Sequence, residues 1–477
     1  MTFASAVLLI CTAVIAGSYG WGMRGSVIGG EKGAMLPGAL IGMTLALFSG
    51  IAVIEDNWQL IAAAGCLGMG FGGFEPYGDT MSYILDREEA RFNPCLGYRG
   101  LALKGANWFG ICGAFLGISL SAFGGRYYQW YDFVLFIALM QPIQLLGIRL
   151  FNKPYDRKNK IFPKIYFSFG SREEWGGNLL MLVCLLAMMI VRGDWYSVLF
   201  SVSGMIFGAA GWMLAIKSYD LLEHQKADGT WRLPRLHRRG LVDGWKTMEF
   251  TLGASGALGL SLYFVLSREW LTKNLADVIS GGSRFDPLGA SGEWIGWAAF
   301  AFVVLMAVQY PLAKILGKKA EQKGKKYNDR PMELLERTAY YGVALGVVLL
   351  GSMRMARLVV FCLLLWVVTE KDVFERLDGR IFYHPRAAHW AMMALFAAGV
   401  VGEILLPNGY TPLMCLLMYS IYYIFCEMLH YYSPKVLADQ RRTGKKSRYT
   451  SKPLIFSTFG VQCAVVIVLY ALFAAHF

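Results

Sequence analysis

Two apolar runs near the start of the chain, FASAVLLICTAVIAGSYGW (3–21) and MLPGALIGMTLALFSGIAVI (35–54), are separated by the turn GMRGSVIGGEKGA (22–34). A helix rises about 1.5 Å per residue, so each run is long enough to cross roughly 30 Å of hydrocarbon. The charged residues of this region lie in the turn, where backbone and charge can meet water. The alternation therefore predicts two membrane-crossing helices.

The same pattern recurs along the whole chain of 477 residues, of which 56% are hydrophobic. A soluble domain is usually about 45–50% apolar. The predicted spans are 3–21, 35–54, 58–75, 104–123, 129–150, 176–192, 195–216, 247–267, 292–314, 336–353, 355–369, 387–406, 411–432 and 454–475. The sequence thus predicts an all-α, polytopic integral membrane helical bundle with about 14 transmembrane helices and no soluble domain. Glycine-rich segments allow broken or re-entrant helices, which would lower the count to 12 or 13.

Basic residues orient the predicted bundle. When the 46 Lys and Arg residues are assigned to alternating connections, 39 fall in the loops that follow odd-numbered spans. Lys and Arg concentrate in cytoplasmic loops, so these loops are expected to be cytoplasmic. The prediction is a multi-pass protein of a cell inner (plasma) membrane with both termini outside.

The formal net charge of +13 does not indicate nucleic acid, because the basic residues flank apolar spans. The expected partners are membrane lipid and a small-molecule solute. The six His show no ligand spacing, so no metal site and no cofactor are predicted. The whole chain, 1–477, is interpreted as one membrane domain. A weak internal sequence similarity is compatible with two pseudo-repeat halves, 1–216 and 244–477.

The first candidate site is the glycine-rich stretch WGMRGSVIGGEKGAMLPG (21–38). Its glycines suggest irregular backbone, whose amides could bind an anion together with nearby cations. The candidate solute-binding residues here are Arg24, Gly29, Gly30 and Lys32, and Glu31 is a candidate for proton or cation coupling. The alternative is a tight cytoplasmic turn in which Arg24 and Glu31 merely pair.

The second candidate site runs from Gly65 to Lys104 and begins with five glycines. Glu75 and Asp79 are four residues apart and would share a helix face, where each raises the proton affinity of the other. Both are candidates for coupling, and Lys104 is a candidate for solute binding. The alternative is an amphipathic surface helix held by its own ion pairs.

The third candidate is Glu249, inside the predicted span 247–267 and three residues after Lys246. A charge within a span is expected to face the protein interior or water. Glu249 is therefore a coupling candidate, although a purely structural pair with Lys246 would also satisfy it. Glu403, Arg354 and Arg357 near outer span ends are interpreted as ordinary snorkelling residues. Three residues at the start of the sixth predicted span are interpreted as ordinary first-turn helix residues: Glu173, Glu174 and Trp175.

These features favour a secondary transporter of a small polar or anionic solute with proton or cation coupling. The main alternative is a membrane-embedded transferase that acts on a lipid-linked substrate at the cytoplasmic face. Its acid, base or donor-binding groups would be Asp79, Asp86, Glu88 and Glu89, near Arg87, Arg91 and Arg99. A non-catalytic membrane subunit is a third hypothesis. The sequence leaves open whether the chain is an enzyme, and it sets no oligomeric state.

Overall fold

The fold is given by a computed structural model. It describes residues 1–24, 30–73, 75–86, 92–122, 128, 130–156, 158–167, 173–223, 229–230, 232–234, 244–275, 292–322, 330–351, 354–377, 386–430, 457, 459–468 and 471. Within these ranges the secondary structure is helical, apart from one isolated bridge between Asp156 and Ile161. The all-helical prediction is therefore confirmed.

The helices overlap the predicted spans, and several of them extend well beyond the predicted ends. They are α1 (Phe3–Met23), α2 (Gly30–Leu47), α3 (Ala52–Glu55), α4 (Trp58–Gly72), α5 (Gly78–Leu85), α6 (Pro94–Ala122), α7 (Trp130–Phe151), α8 (Trp175–Val191), α9 (Trp195–Glu223), α10 (Gly244–Asn274), α11 (Gly292–Gln322), α12 (Arg330–Leu350), α13 (Arg354–Leu377), α14 (Arg386–Leu405), α15 (Tyr410–His430) and α16 (Phe459–Val468). Every predicted span overlaps at least one of them.

Five of the described helices are long and apolar enough to cross a membrane: α1, α6, α7, α9 and α10. Several shorter apolar helices accompany them. The exposed side chains of α7 are largely apolar, as expected of a surface that faces lipid. They include Leu135, Leu139, Leu145, Leu146 and Leu150. By length and composition these helices could cross a membrane, and the count of about 14 crossings stays a prediction.

Glycines bring the inner helices into backbone contact. At each contact an added methyl group would collide with the carbonyl oxygen of the facing helix, so only glycine fits without movement. The pairs are Gly38–Gly65 between α2 and α4, Gly105–Gly208 between α6 and α9, and Gly17–Gly253 between α1 and α10. The six helices form the tightly packed centre of the protein.

The glycine-rich segment at Gly65 belongs to an unbroken helix. The helix α4 is continuous from Trp58 to Gly72, and its glycines allow α2 and α6 to approach it closely. The helix ends at Gly72, and α5 begins only at Gly78. The described residues of the connection, Gly73 and Glu75–Tyr77, are not helical and place their carbonyl groups beside the charged side chains described next.

Candidate functional site

Four of the predicted site residues lie together at one end of the inner bundle. Arg24, Glu75, Lys104 and Glu249 are 6%, 0%, 0% and 2% exposed. They come from the end of α1, the connection after α4, the first third of α6 and the start of α10. Burial of a charged group is unfavourable unless it is paired or hydrogen-bonded, so each has to be accounted for.

Arg24 directly follows α1 and is enclosed by aromatic rings. One guanidinium nitrogen, Nη2, donates to the carbonyl oxygen of Gly73 at 2.8 Å. The guanidinium carbon lies 5.1, 5.3 and 5.6 Å from the ring centres of Trp21, Tyr77 and Trp108. These are cation–π distances, and the three rings are called the aromatic cage below. Among the described side chains, Arg24 forms no ion pair.

The aromatic cage is itself tightly packed. Trp21 stacks on Trp108 with ring centres 5.4 Å apart, and Tyr77 lies 4.8 Å from Trp212 and 5.9 Å from Trp245. Stacked and edge-on ring pairs contribute beyond their buried area. The rings therefore fix the position of Arg24 from three sides.

Glu75 and Lys104 form a buried ion pair next to the cage. Lys104 Nζ lies 3.5 Å from Glu75 Oε1, and it also donates to the Pro76 carbonyl at 2.6 Å and to Thr80 Oγ1 at 2.9 Å. The side-chain amide of Asn178, in α8, donates to Glu75 Oε2 at 3.4 Å. The carboxyl group is thus held between α6 and α8.

Lys246 and Glu249 form the second buried pair, with Nζ and Oε2 3.1 Å apart. Lys246 Nζ also donates to the Gly22 carbonyl at 2.8 Å and so ties the start of α10 to the end of α1. Burial raises the pKa of the Tyr77 phenol, and the charge of Glu249 adds to that rise. The pair therefore lies close enough to the aromatic cage to act on it electrostatically.

The pKa of Glu75 is raised from its ordinary 4.5 to about 7. Burial is the main cause, because it disfavours the charged form; Lys104 opposes it, and the carboxyl groups of Glu173 and Glu174 add to it. Glu75 lies outside the helices, in the connection between α4 and α5. It is poised to gain or lose a proton near neutral pH.

Three residues near Glu75 are not among the site residues that the sequence predicts: Glu173, Glu174 and Asn178. The two carboxyl groups precede α8 and are only 2% and 3% exposed, whereas ordinary first-turn residues would face solvent. Nothing in their spacing relates them to Glu75, which is about a hundred residues away in the chain. The one available signal was their position at a predicted cytoplasmic span end, the same membrane side as Glu75. Tertiary packing of α8 against α6 brings them there.

The other predicted site residues are placed differently. Lys32 is half-buried, with Nζ 6.0 Å from the ring centre of Tyr340. Gly30 is exposed at the start of α2, with a φ of +55° and open space around it. Asp79 is half-buried in the first turn of α5. Gly29 and the side chain of Glu31 lie outside the described residues.

Several buried hydrogen-bond donors around the cage have no acceptor among the described atoms. They are Arg24 Nε and the indole nitrogens of Trp21 and Trp212. A buried donor without an acceptor is unfavourable by roughly 1–3 kcal/mol. The arrangement therefore offers a positive charge and several N–H groups to a molecule that carries acceptors.

The chain matches no protein-family model, no curated protein and no solved structure.

Proposed function

We propose that this protein is a secondary transporter that moves a small polar or anionic solute across a cell membrane with proton or cation coupling. Arg24 in the aromatic cage binds the negative group of the solute. Glu75 and Glu249 carry the coupling proton or face the coupling cation.

The observation that carries the proposal is the state of Arg24. Arg24 is 6% exposed, and among the described residues its guanidinium has a carbonyl group and three rings as neighbours and no carboxylate that balances its charge. An unbalanced buried charge is strongly unfavourable, and a bound anion removes that penalty. The fork of the guanidinium suits a carboxylate or phosphate.

The unpartnered donors support the same ligand class. An anionic group at Arg24 brings several acceptor lone pairs to Arg24 Nε and to the indole N–H of Trp21 and Trp212. A cationic or purely apolar ligand would leave those donors without acceptors. The rings in addition provide flat apolar surface for the rest of a small solute.

The coupling part of the proposal rests on Glu75. Its pKa of about 7 lets it exchange a proton within the physiological range. An anion on Arg24 and a proton on Glu75 would each make the other more favourable through their opposite charges. Glu249, paired with Lys246, is the second candidate for this role.

The non-helical connection after α4 supports a transport site. Transporters often bind solutes where a helix is interrupted and its backbone groups are free to make contacts. Here the carbonyls of Gly73 and Pro76 accept from Arg24 and Lys104. Movement of this connection would change the hydrogen bonds of Arg24 and Lys104 at the same time. Solute binding would thereby be linked to a change in the side of the membrane from which the site is accessible.

The membrane placement also belongs to the proposal. We infer about 14 crossings in a cell inner membrane, with the basic loops in the cytoplasm and both termini outside. Arg24, Glu75, Lys104 and Glu249 form the charged cluster. They lie at the end of α1, just after α4 and near the starts of α6 and α10. Helices that alternate in direction would bring these ends to one side, which is the side with the basic loops.

A membrane-embedded transferase acting on a lipid-linked substrate is the second candidate. It is favoured by the electrostatic coupling of three buried carboxyl groups, Glu75, Glu173 and Glu174, near an end of the bundle and not at its middle. Such a group could act as acid and base. Of the residues the sequence offers for this role, Asp79 and Asp86 are half-buried, and Glu88 and Glu89 lie outside the described residues.

A thermal-stability screen of the purified protein tests the proposal. A ligand at about 100 times its Kd adds about 2.7 kcal/mol to the free energy of unfolding. We expect a small soluble anion to stabilise the wild type and not Arg24→Gln. The matched control is Arg268→Gln, because Arg268 also donates to loop carbonyls, those of Ser49 and Gly50, away from the cluster.

The outcomes of the screen separate the two candidates. Stabilisation of wild type and Arg268→Gln by a soluble anion, with no effect on Arg24→Gln, supports the transporter. Stabilisation by lipid-linked or nucleotide-activated compounds alone would exclude it in favour of the transferase. Equal stabilisation of Arg24→Gln and wild type by the anion would show that Arg24 does not bind it.

A further inference from the structure

A small cavity lies between the start of α13 and the end of α14, away from Arg24 and its neighbours. Its volume is about 220 Å³, and it is lined by Arg354, Arg357, Leu358, Glu403 and Ile404, together with Pro407. Two cations and one carboxylate thus face a single small cavity. From the sequence alone, all three charged residues are expected to be ordinary snorkelling ends.

Glu403 is the buried member of this cavity, at 4% exposure. One carboxylate oxygen, Oε2, accepts from the backbone N–H groups of Asn408 and Gly409, each at 3.2 Å. The other oxygen, Oε1, is buried and has no donor among the described atoms. The cavity therefore contains a fixed, unsatisfied acceptor with negative charge.

The two arginines provide the opposite charge. Arg357 donates through Nη2 to the backbone carbonyl of Asp56, and its Nε has no acceptor in the described part of the chain. Arg354 is exposed and is the first residue of α13, where the helix dipole also favours an anion. Neither arginine forms an ion pair with Glu403 among the described contacts.

We propose that this cavity binds the headgroup of a zwitterionic aminophospholipid, with its phosphate on Arg354 and Arg357 and its primary ammonium on Glu403. A simple anion would leave Glu403 Oε1 without a donor and would face its charge. A simple cation would face two arginines. A ligand with both charges and N–H donors satisfies all three groups.

The surroundings indicate a lipid as the source of this headgroup. Next to the cavity, Ile404, Leu405 and Leu406 are 54%, 70% and 74% exposed. Three adjacent exposed apolar side chains are unfavourable in water and suit contact with acyl chains. A soluble molecule such as phosphoethanolamine has the same charges but gains nothing from that surface.

Native mass spectrometry of the full-length protein in mild detergent tests the proposal. Dioleoyl phosphatidylethanolamine and dioleoyl phosphatidylcholine differ only in the methylation of the ammonium, which removes its N–H donors. We expect the first to bind about tenfold more tightly, as loss of a hydrogen bond to a charged group implies. Glu403→Gln should bring this ratio close to one. Arg354→Gln should weaken binding of both lipids about equally.

Lys273→Gln is the matched control, because Lys273 is an exposed cation at the end of α10 and does not line the cavity. It should bind both lipids as the wild type does. Equal binding of the two lipids by the wild type, or a preference that survives Glu403→Gln, would overturn the proposal. Soluble phosphoethanolamine that competes as well as the lipid would overturn the lipid source.

Discussion

The ammonium of Lys104 lies 3.5 Å from the carboxyl group of Glu75, and both side chains are closed off from solvent. A buried pair of this kind contributes little net stability, because removing two charges from water is about as unfavourable as their attraction is favourable. The role proposed for this pair beside Arg24 is therefore control of a proton, not stability.

Replacement of Glu75 by Gln should flatten the pH dependence of stability. The pKa of Glu75 is about 7 in the folded protein and near its ordinary 4.5 when unfolded. Between these values the folded state binds a proton that the unfolded state has released, so stability falls as pH rises from about 4.5 to 7. Thermal unfolding at several pH values should show this fall in wild type and lose it in Glu75→Gln.

The control for this prediction is Glu269→Gln. Glu269 is an exposed carboxylate that pairs with Lys273 at the surface, so its replacement should leave the slope between pH 4.5 and 7 as it is in wild type. A slope in Glu75→Gln that equals the wild-type slope would show that Glu75 does not titrate in this range.

Replacement of Lys104 by Met should destabilise the protein most above pH 7. There Glu75 is ionised, and loss of its partner leaves a buried, uncompensated charge, which is unfavourable by about 3–5 kcal/mol. The double variant Lys104→Met with Glu75→Gln should recover most of that loss. A double-mutant cycle in denaturant at pH 8 measures the coupling, and additive effects of the two changes would contradict a direct interaction.

The packing of the inner helices predicts opposite effects for two glycine substitutions. Gly105→Ala places a methyl group against the Gly208 carbonyl of α9, and it should destabilise the protein by about 1–3 kcal/mol. Gly342→Ala is the matched control, because Gly342 lies within α12 with no atom within 4 Å of an added Cβ. There the change should stabilise by up to about 1 kcal/mol. Melting temperatures of both variants check this, and equal shifts would argue against the close approach of α6 and α9.

The sequence predicted the helices better than the site. Long apolar runs have one stable backbone solution in lipid, so α1, α7 and α8 could be located within about two residues. The glycines of α4 were ambiguous, because the same residues permit a broken helix or a close contact. Only the position of α2 against α4 decides between the two.

The site was predictable in part for a related reason. Arg24, Glu75, Lys104 and Glu249 stand out because charge is rare near apolar spans. Glu173 did not stand out, because its burial depends on how α8 packs against α6, which no local pattern encodes. The roles of all the candidate residues in solute binding or coupling stay predictions, and these also include Lys32, Asp79, Gly29, Gly30 and Glu31.

The most direct test of the central claim is solute uptake into proteoliposomes that contain the purified protein, using anions that stabilise it. We predict that wild type accumulates such an anion when the outside is made more acidic than the lumen. Glu75→Gln and Glu249→Gln should still exchange solute across the membrane but fail to accumulate it. Absence of uptake and of exchange by wild type, for every anion that binds at Arg24, would contradict the claim that this protein is a transporter.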